Sequence, residues 1–217
     1  MANILIACNN DSNVDLHDFM QLCADYAKQY CFDYNHKYIF IEPPFLTDKN
    51  ILTNMDSNHV CFLAAHGDAY GVYNEASEDV VTTRTNNYAF VNKGVYTVAC
   101  SCAQNLCSEL MRVGAKFFVG YDKPFIVGND EKAFCECAME GLKHFLNGRT
   151  KDESYKVMLN KYDEIIKTLS FKDQVRMLRN KESLVFCGED NVLLTDMIWI
   201  MHKLPRHKTI RVFEGFV

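Results

Sequence analysis

Two short stretches restrict the fold of this chain more than anything else in its 217 residues. Val60 to Ala65 and Gly94 to Ala99 are apolar at nearly every position, with no alternation of apolar and polar residues. A strand of that kind has no face to give to water, so both of its faces must be covered. Similar runs occur at 3–8, 37–41 and 116–119. Several such strands separated by helical patterns call for a mostly parallel sheet with helices on both sides, an α/β architecture.

The intervening segments fit that scheme. Leu16, Phe19, Met20, Cys23, Ala27 and Tyr30 recur at helical spacing, and Asp11 or Ser12 is placed to cap that helix. Residues 45–58 read as irregular chain or a short helix. The polar stretch 68–93 holds two hairpin arms, Tyr70 to Tyr73 and Val80 to Thr83. Leu106, Leu110 and Val113 mark a helix that Gly114 ends. Asp130 caps a further helix, and Thr150 with Glu153 has the pattern of a capping box opening another. A helix is expected over 172–181 and a strand over 183–187. Val192 to Leu194 is expected as its return strand, and Thr209 to Phe213 as a last strand. No repeat or linker divides the chain, which reads as one domain spanning 1–217.

Charge and cysteine content narrow the function classes. The net charge is −5 with no basic cluster, which argues against a nucleic-acid surface. No apolar run is long enough to span a bilayer. The N-terminal run lacks a basic leader and is too short for a signal peptide. Ten cysteines lie mostly in apolar runs (Cys8, Cys61, Cys187) or on helical faces (Cys23, Cys107, Cys137). That placement predicts free buried thiols and a cytoplasmic protein. Cys100-Ser101-Cys102 and Cys135-Glu136-Cys137 are spaced too closely for a usual structural zinc site, so no metal is expected.

The reactive residues stand at the strand ends. His66 follows the run 60–65 and precedes Gly67, and Cys100 follows the run 94–99. Neighbouring parallel strands would deliver both to the carboxyl edge of the sheet, where α/β proteins bind ligands. A thiol beside an imidazole there suffices for nucleophilic catalysis. Cys100 is the candidate nucleophile, its thiolate favoured by the positive end of the following helix. His66 is the candidate general base. The backbone N–H groups of Gly67 and Cys100 are candidates for an oxyanion hole. Cys102 is an alternative nucleophile.

His-Gly at one strand end and Ala-Cys at a later one, in that order, resemble the caspase-type (clan CD) cysteine peptidases. These include caspases, gingipains, separases and CHAT-domain proteases. The continuation Leu106…Leu110…Gly114-Ala115-Lys116-Phe117-Phe118-Val119-Gly120 is similar to the CHAT and gingipain pattern. Leu184-Val185-Phe186-Cys187-Gly188-Glu189-Asp190-Asn191-Val192 is similar to the C-terminal pattern of the same relatives. Two features depart from caspases. The His–Cys separation is 100 − 66 = 34 positions against roughly 50. In place of Gln-Ala-Cys-x-Gly the chain has Val98-Ala99-Cys100-Ser101-Cys102.

The resemblance implies a three-layer caspase-haemoglobinase fold and a cysteine endopeptidase acting through an acyl-enzyme thioester. It implies a protein or peptide substrate, no cofactor, and room for a regulatory protein partner or self-association. It also implies a specificity pocket walled by the ends of the first strand, the nucleophile strand and the next one. Asp11 and Asp122 stand nearest those ends and would select a basic residue before the scissile bond. The competing reading is a pseudo-protease that keeps the fold as a binding or scaffolding module.

Overall fold

The computed structural model describes residues 1–85 and 87–203, with side chains described as far as Ile198. The strand expected over 209–213 and the side chain of Trp199 lie outside the described residues. A six-stranded sheet carries the architecture. Its strands are β1 (Asn3–Cys8), β2 (Lys37–Ile41), β3 (Val60–Ala64), β7 (Gly94–Val98), β8 (Phe117–Tyr121) and β9 (Leu184–Gly188), in the order β2-β1-β3-β7-β8-β9. All neighbours run parallel except β8 and β9, which are antiparallel. A second sheet of three short antiparallel strands, β4 (His66–Asp68), β5 (Gly71–Tyr73) and β6 (Asp79–Thr82), branches off directly after β3.

The helices cover both faces. They are α1 (His17–Asp33), α2 (Asp48–Met55), α3 (Leu106–Val113), α4 (Glu131–Leu146), α5 (Lys151–Ile166), α6 (Phe171–Glu182) and α7 (Leu194–Lys203). Ile4, Ile6, Phe62, Tyr96, Phe117 and Val119 share one core with α1, α4 and α5. Leu5, Ala7, Cys61, Leu63, Val95 and Phe118 share the other with α2, α3 and the small sheet. Successive residues of each strand therefore enter opposite cores, which is why the runs carry no polar alternation.

Most helix ends follow from local chemistry. Asp130 accepts the Ala133 N–H at the start of α4, and Thr150 with Glu153 closes a full capping box on α5. Gly114 ends α3 at φ 98°. Three expectations fail. Leu16, in a left-handed conformation and without a side-chain cap, precedes α1, because Asp11 closes its own turn by accepting the Asn13 N–H at 2.8 Å. No return strand exists at 192–194. β9 pairs with β8 instead, and α7 begins at Leu194. Cys107 of α3 and Cys187 of β9 form a disulfide, whereas the other eight cysteines are free. The pairing of β9 with β8 brings Cys187 beside the α3 face of the sheet, a proximity no sequence pattern encodes.

Gly94 opens β7 opposite Phe117 of β8, and a Cβ there would collide with the Phe117 ring. That ring is itself held edge-on against Phe145, 4.8 Å between centroids. Gly94→Ala is expected to destabilise the protein by about 1–3 kcal/mol through overpacking, read from the urea unfolding midpoint. An unchanged midpoint would mean that the aromatic pair yields without cost.

Candidate active site

The site is built from the register of β3 and β7. Ala64 pairs with Val98, so His66 and Cys100 each lie two residues beyond a matched pair on adjacent parallel strands. Strands in that relation are about 4.8 Å apart. Gly67 makes the approach close: a Cβ on it would sit 2.7 Å from the Cys100 carbonyl oxygen and 3.0 Å from the Ala99 Cβ. Only glycine leaves space for this contact. Among the described residues, no hydrogen bond joins His66 to Cys100.

His66 opens the small sheet, paired across to Tyr73. Asp68, two residues on and therefore on the same face of β4, shapes the hairpin. Its Oδ1 accepts from the Tyr70 N–H at 2.7 Å and the Tyr73 hydroxyl at 2.9 Å. Beside this hairpin lies an open groove of about 630 Å³, lined by His66, Gly67, Asp15, Asp68, Glu75 and Arg84 among others. Arg84 is engaged by Asp79 at 2.8 Å, so the carboxylates dominate the lining.

Cys100 is followed by a tied loop rather than by a helix. Ser101 takes φ 55°, and its N–H donates to the Lys123 carbonyl at 3.1 Å. The Ala103 N–H donates to the Tyr121 carbonyl at 3.0 Å, and the Gln104 side chain to the Asp122 carbonyl at 2.7 Å. The Asn105 N–H donates to the Ala69 carbonyl at 3.1 Å, which ties the loop to the β4–β5 turn. The expectation that the helix dipole acts on Cys100 is therefore corrected: α3 begins at Leu106, 106 − 100 = 6 positions later. Burial instead pushes the Cys100 thiol above its ordinary value, opposed by a backbone hydrogen bond at Phe125. The Sγ lies 3.8 Å from the Phe125 carbonyl oxygen.

The other sequence candidates separate clearly. Cys102 is fully buried, its thiol facing the Ala99 carbonyl at 3.5 Å, and burial pushes it up to about 12. Cys100 is partly exposed, whereas the remaining free cysteines are buried. Asp11 spends its Oδ1 on Asn13. Asp122 lies at the end of β8 beside the nucleophile loop, with a buried Oδ1 that has no hydrogen-bond partner among the described residues. The residues that sequence reasoning missed are Asp68, legible two positions after His66, and Phe125, which acts through its backbone and leaves no side-chain signal.

Several solved structures share this architecture. Gingipain R, an Arg-specific cysteine proteinase, superimposes with a TM-score of 0.65 at 14% identity, over 88% of this chain and 47% of that one. A complex of pro- and mature domains from Porphyromonas gingivalis gives 0.60 at 14% identity, over 88% and 48%. Separase from Saccharomyces cerevisiae, in its complex with securin, gives 0.55 at 10% identity, over 86% and 12%. The chain thus spans about half the length of the gingipain structures. No protein-family model matches the sequence. No curated protein matches it either. Among the described residues, no helix is long and apolar enough to cross a membrane.

Exposure and burial give a direct expectation for thiol chemistry. Iodoacetamide should modify Cys100 first among the free cysteines, at a rate still climbing above pH of about 8.5, the ordinary thiol value. Site-resolved mass spectrometry would read this, and labelling of Cys102 in step with Cys100 would contradict it. The mixed, mostly parallel sheet and its neighbours define the fold: it is the caspase-haemoglobinase fold of the clan CD cysteine peptidases.

Proposed function

We propose that this chain is a cysteine endopeptidase of the clan CD type, resembling CHAT and gingipain members in its motifs. The observation that carries the reading is the matched register of β3 and β7, with Gly67 lying against Cys100. In the proposed reaction the Cys100 thiol gives its proton to His66, and the thiolate adds to the scissile carbonyl. The Gly67 and Cys100 N–H groups hold the oxyanion. Collapse of the tetrahedral intermediate breaks the C–N bond, and His66 returns the proton to the leaving amine. Water then hydrolyses the thioester. No metal or organic cofactor enters these steps.

The lack of a resting hydrogen bond between the two groups does not oppose the reading, since catalytic hydrogen bonds often form only with substrate bound. A basic residue before the cut is favoured by Asp122, whose buried oxygen lacks a partner, and by the acidic lining of the groove. Gingipain R is described as Arg-specific, and by analogy this chain would take Arg or Lys. Structures of the neighbours include a pro-domain and securin, and a regulatory protein partner for this chain belongs to the same proposal. A cytoplasmic setting suits the eight free thiols, whereas the Cys107–Cys187 disulfide pulls the other way.

One observation favours the second reading, a pseudo-protease acting as a binding module: the Cys100 thiol is pushed up, against the needs of a nucleophile. Fluorogenic peptides with Arg, Lys, Asp or Leu before the scissile bond distinguish the two. His66→Ala is expected to lower kcat/KM by about 10²–10⁴-fold, and Cys100→Ala at least as much. Cys102→Ala should leave cleavage intact. Asp122→Asn should reduce cleavage after Arg by roughly 30-fold or more while sparing cleavage after Leu. Absence of turnover together with no labelling of Cys100 by a peptidyl electrophile would favour the binding module.

A further inference from the structure

A buried polar side chain from α6 engages the connection whose backbone contacts the nucleophile. Asn180 is fully buried. Both ends of its amide engage one residue: Nδ2 donates to the Ile126 carbonyl at 2.7 Å, and Oδ1 accepts the Ile126 N–H at 2.9 Å. A side-chain amide carries one donor edge and one acceptor edge, so it imitates a neighbouring strand and fixes a peptide at two points. Ile126 lies in the connection between β8 and α4, directly after Phe125, whose backbone contacts the Cys100 thiol.

The same connection has further anchors. The Asp122 N–H donates to the Ser183 carbonyl at 2.9 Å, next to the end of α6. The Phe125 ring packs on Tyr121 at 4.7 Å and on Phe19 at 5.6 Å. These contacts hold the start of the segment and its aromatic ring. Asn180 alone among them grips the Ile126 peptide, one bond away from the carbonyl that the thiol faces.

We propose that Asn180 is a positioning residue, which sets where the Cys100 thiol sits by clamping the Ile126 peptide from α6. The inference rests on the reading of Cys100 as the nucleophile, and it names a residue outside the strand-end motifs that the reaction depends on. Releasing the clamp lets the Phe125 backbone move off the sulfur, which removes a hydrogen bond that lowers the thiol, and admits water, which relieves burial, the larger and raising influence. The thiol then reacts faster with a small electrophile, yet it no longer stands where a peptide carbonyl needs it. Those two effects have opposite signs, and they are confined to Cys100: a loss of stability alone would also speed labelling of the buried free cysteines, Cys102 among them.

The test uses Asn180→Ala and Asn180→Asp, with Arg179→Ala, exposed on the same helix, as the control. Iodoacetamide modification of Cys100 is followed by site-resolved mass spectrometry from pH 6 to 10, well below each variant's melting temperature. In Asn180→Ala the Cys100 rate near neutral pH should rise by about fivefold to tenfold, since each unit lost from a thiol pKa multiplies the thiolate fraction about tenfold. Asn180→Asp keeps the acceptor for the Ile126 N–H and loses the donor, so it should give a smaller rise, and it serves alone if the alanine variant does not fold. On a cleaved peptide, kcat should fall by about tenfold or more with KM little changed. A Cys100 rate within twofold of wild type, or slower, in a folded Asn180 variant overturns the proposal. Faster modification with no peptide turnover in any variant, wild type included, would sink the protease reading and leave the positioning role standing.

Discussion

The pairing of β3 with β7 is the constraint on which everything at the sheet edge depends. Side chains alternate along a strand with a period of two, so register and facing are locked together. The observed match of Ala64 with Val98 sends Phe62 and Tyr96 into one core and Leu63 and Val95 into the other. A slip of one residue would turn the apolar side chains of one strand to the wrong layer relative to the other. The same match carries His66 and Cys100 out of the sheet at one level. Core packing and the geometry of the candidate site are thus a single choice.

Different parts of the chain then supply different properties of that edge. The strands give placement, and glycine at position 67 lets the two strand ends close on each other. The small sheet gives His66 a rigid hairpin and one wall of the groove, with Asp68 drawing its turn together. The connection after β8 gives the thiol its surroundings: carbonyls of Tyr121, Asp122 and Lys123 receive the nucleophile loop, and Phe125 lies at the sulfur. A thiol so enclosed is protonated at rest, because burial in a low dielectric disfavours the thiolate.

What could be read in advance had a local cause. Asp130, Thr150 with Glu153, and Gly114 mark helix ends because capping involves residues within one turn of each other. The cap expected from Asp11 or Ser12 failed: Leu16 stands at the helix start without a side-chain cap, and Asp11 closes its own turn instead. The dipole assigned to Cys100 failed because the residues between Cys100 and α3 form a loop tied to the end of β8, which keeps the helix start away from the thiol. The antiparallel pairing of β9 was not legible, since an apolar run has no direction written in it.

The sequence by itself determined a two-sided, mostly parallel α/β sheet with a histidine and a cysteine at the ends of two of its strands. Unbroken apolar runs permit little else, and chain order places the reactive residues. Tertiary structure decided which strands are neighbours, that Cys102 is sealed while Cys100 is reachable, that Cys107 meets Cys187, and that Asn180 grips Ile126. Each of these pairs residues far apart in the chain. Such contacts are set by how whole layers pack, and periodicity carries no information about them.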